Sequence, residues 1–246
     1  MATVGEIMNT GMLKVALETR AGECLDRMLD QGARHAVVVD ADGGVAGLLT
    51  DAALHITNPT LSVFSALVPV PTMSDETSVE DAARLLVGTS QDAAVVVDDE
   101  GHPVGLLAEA DVVRYAPVLL DTRSRVVLRA WRPPVSVHPD STLSAAFDTM
   151  VNHQIRHLLI TDNGPVLGVV SFRDLLATGV TRDADGVVQQ LLGGGPVRLV
   201  HEGASLDEVV TLMRTHDIGC VPVLDSNNLP VGIVTRSDVL EQIVQG

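Results

Sequence analysis

The chain has 246 residues, 46% hydrophobic but only 2% aromatic, and a formal net charge of −16 from 32 acidic and 16 basic residues. That balance argues against a general nucleic-acid binder, which needs a basic face to neutralise phosphates, yet leaves room for a small anion in a local basic pocket. No apolar run approaches the ~20 residues that cross a bilayer. Met1 to Thr10 hold no basic region followed by an apolar stretch, so no secretory signal is expected. Cys24 and Cys220 are then expected as free thiols in a reducing cytoplasm.

In chain order, a short strand over Leu13 to Leu17 leads into a helix whose apolar face is Ala21, Cys24, Leu25, Met28 and Leu29. A buried strand, Ala36-Val37-Val38-Val39-Asp40, and a turn at Asp40 to Gly44 follow. A strand led by Gly47-Leu48-Leu49 folds back on it, and a second helix begins at Asp51. The same order then returns three times. Short strands fall at Val70 to Met73, Val135 to Val137 and Val197 to Val200. The first helices carry Val79, Ala82, Ala83, Leu86 and Val87, then Leu143, Ala146, Phe147, Met150 and Val151, then Leu206, Val209, Val210 and Met213, where Arg214 breaks the pattern. Buried strands lie at Ala94 to Asp98, Leu158 to Thr161 and Val221 to Asp225. The Gly-led strands are Gly105-Leu106-Leu107, Gly168-Val169-Val170 and Gly232-Ile233-Val234, at spacings of 58, 63 and 64 residues along the series. Second helices are expected over Glu109 to Tyr115, Phe172 to Thr178 and Arg236 to Val244.

A repeat of this size is one supersecondary unit, and four copies dictate the architecture. A unit of about 60 residues buries too little surface to be stable alone. The fold class is α/β (α+β): strand, helix, strand, strand, helix, with both helices on one side of the sheet and the apolar sheet faces of two units packed together. The repeats are placed at 1–57, 58–118, 122–180 and 181–246. Residues 116–130 are expected to join two pairs, 1–118 and 122–246.

Two constellations stand out. Ser171 with Asp174, and Thr235 with Asp238, put a hydroxyl at a helix start and an acid three residues on. From the residues alone this is a capping box. The first two repeats each keep half of it: Thr50 faces Ala53, and Asp111 follows Ala108. Ahead of the central strands stand Arg34-His35, Asp92-Ala93, Arg156-His157 and Gly219-Cys220 at matching positions. An Arg fork and a His suit a phosphate; a surface Arg beside a packed strand His is the plain alternative. His153 and His157 are separated by the expected helix end, so they do not form a metal pair. No catalytic triad, Walker loop or zinc spacing is found.

The strand–helix–strand–strand–helix order and the ending Gly-h-h-Ser/Thr-x-x-Asp (h, aliphatic), complete in Gly168 to Asp174 and Gly232 to Asp238, resemble the CBS domain in four copies. The layout is similar to the gamma subunit of AMP-activated protein kinase. The resemblance implies tandem modules that form one disc, in a monomer or a homodimer. It also implies an adenosyl ligand (AMP, ADP, ATP or S-adenosylmethionine) in clefts between paired repeats. Carried over, it assigns Ser171, Asp174, Thr235, Asp238 and, more weakly, Asp111 to ribose hydroxyls. It assigns Arg156, His157, Arg34 and His35 to phosphate. The expected function is regulatory: a cytoplasmic protein, not an enzyme, with no metal, that signals occupancy to an unidentified protein partner. A partner-binding adaptor with empty clefts is the alternative, and an enzyme with an unfamiliar site the third.

Overall fold

The computed structural model describes residues 2–89, 91–119, 133–178, 186–193 and 195–245. They fall into two compact units, one holding 2–119 with 240–245 and the other the described residues of 120–239. The described strands form four three-stranded sheets of one design. In each, the first strand pairs parallel to the central one, and the central strand pairs antiparallel to the third.

The first unit begins with a short helix, α1 (Val4–Ile7), and then β1 (Leu13–Ala16), α2 (Ala21–Asp30), β2 (His35–Val39), β3 (Val45–Thr50) and α3 (Asp51–His55). The second repeat gives β4 (Thr72–Met73), α4 (Val79–Thr89), β5 (Ala93–Val97), β6 (Pro103–Ala108) and α5 (Glu109–Leu119). The second unit holds β7 (Ser136–Val137), α6 (Leu143–His153), β8 (His157–Thr161), β9 (Val166–Ser171) and α7 (Phe172–Ala177). It continues with β10 (Val200–His201), α8 (Leu206–His216), β11 (Cys220–Leu224), β12 (Pro230–Thr235) and the start of α9 (Arg236–Gln245), whose residues 240–245 fall in the first unit.

Strand alternation sorts the core into two layers. In the first repeat Ala36, Val38 and Leu49 face α2 and α3 and pack with Leu13, Cys24, Met28 and Leu54. Val37 and Leu48 point the other way and meet Ala93, Val95 and Leu106 of the second repeat. Leu159, Cys220 and Ile233 do the same between the third and fourth repeats. The expected face-to-face packing of paired sheets is therefore present within each unit. Each fully buried Val or Leu contributes about 1.5–3 kcal/mol.

Three expectations are corrected. Leu29 and Val151, assigned to helix core faces, are 42% and 40% exposed. At ~100° per residue the i+8 position swings about 80° from i, onto the edge of the stripe. α5 runs on to Leu119 and takes Ala116 and Pro117 into its last turn, so the junction does not start at 116; its remainder, 120–130, lies outside the described residues.

Sequence order also conceals an exchange. Residues 2–9 lie on the second repeat: Val4 N–H donates to the Thr77 carbonyl, and Asn9 and Leu106 exchange both backbone bonds at 2.8 and 2.9 Å. Residues 58–68, ahead of β4, lie on the first repeat, with Val63 fully buried and Leu48 N–H donating to the Val68 carbonyl. Residues 186–192, ahead of β10, lie on the third, where Val188 is fully buried and its N–H donates to Ser141. The leading segment of one repeat thus completes its partner.

That exchange explains the repeated glycine. A Cβ on Gly47 would stand 2.7 Å from the Val68 carbonyl oxygen and 2.8 Å from Leu67 Cγ. One on Gly105 would collide with Met8, and one on Gly168 with Leu192. A β-bulge follows the glycine pairing in all four sheets, at Val38/Val39, Val96/Val97, Ile160/Thr161 and Val223/Leu224.

Candidate functional site

At the end of each third strand the chain turns directly into a helix. Ser171 caps α7: its Oγ accepts from Asp174 N–H at 3.2 Å and donates to Asp174 Oδ2 at 2.6 Å, while Ser171 N–H donates to the same oxygen at 2.7 Å. Thr235 repeats this at α9 with Asp238, at 3.4, 2.6 and 2.7 Å. Asp238 is 2% exposed, whereas Asp174 is open to solvent. The capping reading is therefore realised at both helices, in each through Oδ2 of the carboxylate.

The half-motifs of the first unit are differently employed. Thr50 Oγ1 accepts from Ala53 N–H at 3.1 Å, with no acid in the motif position. Asp111 accepts from Ala108 N–H at 2.9 Å through Oδ2 and from Arg114 at 3.0 Å through Oδ1. Both of its oxygens are engaged.

The residues before the central strands come together in pairs. His35 opens β2 opposite Thr50 and is 6% exposed. Its Nε2 lies 2.8 Å from Asp92 Oδ1, from the turn before β5. His157 opens β8 opposite Ser171 and meets the equivalent residue, Gly219, where a Cβ would stand 2.8 Å from His157 Nε2. Arg34 and Arg156 are half-buried beside these histidines. Their carbonyls accept from Asp51 and Phe172 N–H, at 3.1 and 2.8 Å.

Those last bonds expose positions that sequence reasoning missed. The residue after each motif hydroxyl position is Asp51, Glu109, Phe172 or Arg236, and its N–H is tied to residue 34, 92, 156 or 219 respectively. Asp51 at 2% and Arg236 at 8% exposure are buried charges, which are costly unless compensated. α8 ends in Asp217, a left-handed residue at φ 49°, and its carboxylate meets Arg236 Nη2 at 3.2 Å. The available signal was the column itself, which swings from acid to aromatic to base between copies.

The two units consequently have opposite charge at equivalent places. Positions 34, 51, 92 and 109 place one Arg among three carboxylates. Positions 156, 172, 219 and 236 carry two Arg and no carboxylate. Beside the latter, burial pushes the Cys220 thiol up to about 12 against the opposing pull of Arg236. Elsewhere Asp98, Glu100 and His102 bring three metal-capable atoms within 4.8 Å, but Asp98 Oδ1 already holds the hairpin turn by accepting from Glu100 and His102 N–H.

The CBS domain family model matches residues 4–54, 65–118, 126–179 and 195–245. The chain belongs to the CBS domain family. It is 26% identical over 184 residues to protein MJ1225 of Methanocaldococcus jannaschii, covering 70% of this chain and 66% of that one. It is 25% identical over 261 residues to MJ1404 of the same organism, covering 98% and 61%. The chain thus spans less than two thirds of either relative. The MJ1225 crystal structure superposes with a TM-score of 0.82 at 22% identity, covering 98% of this chain and 99% of that one. An uncharacterized conserved protein from Pyrococcus horikoshii gives 0.72 at 21% identity, covering 98% and 100%. These likenesses place the fold of all four CBS repeats. Among the described residues no helix is long and apolar enough to cross a membrane.

Proposed function

We propose that this CBS protein is regulatory, that its second unit binds an adenine nucleotide, and that occupancy is passed to a protein partner. The charge contrast between the units carries the proposal. Both complete hydroxyl–carboxylate pairs belong to the unit whose centre presents Arg156, His157 and Arg236 without a carboxylate among the equivalent positions. Asp174 and Asp238 are assigned to ribose hydroxyls, each helped by Ser171 or Thr235, because a carboxylate accepts from a vicinal diol. The Arg and His side chains are assigned to phosphate oxygens. Two guanidinium groups favour an anionic nucleotide over cationic S-adenosylmethionine. In the first unit Asp111 is engaged by Arg114 and His35 by Asp92, so Arg34, His35 and Asp111 are left out of this assignment.

An adaptor with empty clefts is the second possibility, favoured by the fact that both motif carboxylates already cap their own helices. A thermal-shift series with AMP, ATP and S-adenosylmethionine separates the two. Nucleotide at 100 times its dissociation constant stabilises the protein by about 2.7 kcal/mol. No shift in ligand-free protein leaves the adaptor.

A further inference from the structure

The crossing segments of the two units are held alike but show different side chains to solvent. Val63 and Val188 N–H donate to the Thr19 and Ser141 carbonyls, and the Leu61 and Gly186 carbonyls accept from Ala21 and Leu143 N–H. Leu61 therefore corresponds to Gly186, and Phe64 to Gln189. Ile56 stands as far beyond Thr50 as Ala177 stands beyond Ser171. The first unit exposes Ile56 at 68%, Leu61 at 48% and Phe64 at 70%. The second has a small or polar residue at each of these places. The other two phenylalanines, Phe147 and Phe172, are buried. Single exposed apolar side chains are ordinary, but these three lie on one surface feature. The 3-10 turn Val63–Ala66 packs against α2 and α3, and the loop between crosses the start of α2, where Gly22 N–H donates to the Pro59 carbonyl at 3.0 Å.

The surroundings of this patch are acidic. Residues 1–119 carry 18 acidic and 6 basic side chains, and so hold −12 of the net −16; residues 120–246 carry 14 and 10. Close to the patch, Glu18 and Glu23 are exposed on either side of the residues that hold the crossing segment, with Arg20 between them. We infer that Ile56, Leu61 and Phe64 form the docking surface for a basic amphipathic segment of a protein partner, which lays its apolar side chains on the patch and turns its Lys or Arg side chains toward Glu18, Glu23 and the acidic unit around them. This step rests on the reading that occupancy is passed to a partner, and it gives that partner a chemistry. Like charge disfavours a second copy of this chain, or an anionic membrane, on the same face. The two units then divide the work: the second is assigned the nucleotide and the first the partner.

The test titrates full-length protein into a fluorescent synthetic peptide of Leu and Lys in amphipathic helical order, read by anisotropy. Two control peptides replace Lys by Glu, or Leu by Ser. Phe64→Gln and Ile56→Ala give the first unit the residues of the second, and Leu229→Gln removes an exposed apolar side chain from the second unit instead. Substitutions at such exposed places leave folding nearly unchanged. The Leu–Lys peptide is expected to bind about tenfold or more tighter than either control. Phe64→Gln is expected to weaken it about tenfold, the scale of one buried aromatic anchor, Ile56→Ala less, and Leu229→Gln by less than about twofold. Binding that Phe64→Gln and Leu229→Gln leave equally intact is diffuse charge attraction and overturns the inference. So does preference for the Leu–Glu peptide, or no binding of any peptide. Light scattering that shows a dimer reduced to single chains by Phe64→Gln gives the patch to a second copy and overturns the partner; sedimentation with phospholipid vesicles that Phe64→Gln abolishes gives it to a membrane and does the same. The titration is repeated in saturating AMP. A changed peptide affinity supports the docking surface and the signalling together. An unchanged affinity, with Phe64→Gln still weakening the peptide, supports the surface and removes the signalling reading alone.

Discussion

Thr235 Oγ1 donates to Asp238 Oδ2 at 2.6 Å inside a pocket of structure that leaves Asp238 only 2% exposed, while the equivalent Ser171–Asp174 pair makes the same 2.6 Å bond in the open. The two acids are therefore expected to differ in stability and agree in binding. Alanine at either position weakens AMP by about 1–3 kcal/mol, the loss of a hydrogen-bonded charged group. Asp238→Ala also lowers unfolding free energy by about 1–2 kcal/mol, as cap losses do, with a smaller effect for Asp174→Ala. Asp111→Ala leaves AMP affinity nearly as it was. Calorimetric titration beside urea denaturation reads both quantities, and a dominant effect of Asp111→Ala would move the site to the first unit.

The glycines separate by what they face. An added methyl at Gly47 meets the backbone carbonyl of Val68, which is pinned by its exchange with Leu48. At Gly168 the methyl meets Leu192 Cδ2, the end of a flexible side chain. Gly47→Ala is expected to cost about 1–3 kcal/mol, the range for overpacking, and Gly168→Ala distinctly less. Equal losses in denaturant melts would contradict the close-approach account.

Burial pushes Cys24 up to about 11 and Cys220 up to about 12. Both thiols stay neutral in the folded chain at pH values where an unfolded thiol, titrating near 8.5–9, ionises. Raised folded values mean that their contribution is intact below about pH 8.5 and is lost as pH climbs through about 11–12. Native protein at about pH 8 is expected to resist maleimide labelling at both cysteines, and denatured protein to label at two. Rapid native labelling at either would show that its core opens.

At acid pH two of the hairpin turns are sensitive points, beside Asp81 at the start of α4, whose carboxyl the Ser78 hydroxyl and then Arg84 hold low. Backbone bonds from His102 and Leu229 first, then from Glu100 and Asn227, hold Asp98 and Asp225 below the ordinary 3.8. A depressed folded value means stability that is present above about 3.8 and lost as pH falls through the lower folded value. Asp98→Asn with Asp225→Asn is expected to flatten the fall in melting temperature between about pH 4 and pH 2. An unchanged slope would place acid sensitivity elsewhere.

Local chemistry made much of this protein legible. The four glycine-led strands, the i, i+3, i+4, i+7 faces of the first helices and the Ser171 and Thr235 caps all express interactions between residues a few positions apart, which periodicity and spacing record directly. The i+8 position does not follow that rule, and Leu29 and Val151 lie exposed because the edge of a stripe is decided by what packs beside it.

What the tertiary structure alone decided is which distant segments meet. Nothing local says that residues 2–9 complete the second repeat or that residues 58–68 complete the first, although the glycines at 47 and 105 exist to let Val68 and Met8 pass. Nor does sequence spacing reveal that Asp92 sits on His35 while Gly219 sits on His157. A charge contrast between equivalent positions is written in the residues themselves. It acquires meaning only when two sheets pack face to face and bring those positions within hydrogen-bonding distance, because electrostatic and steric selection act through space and not along the chain.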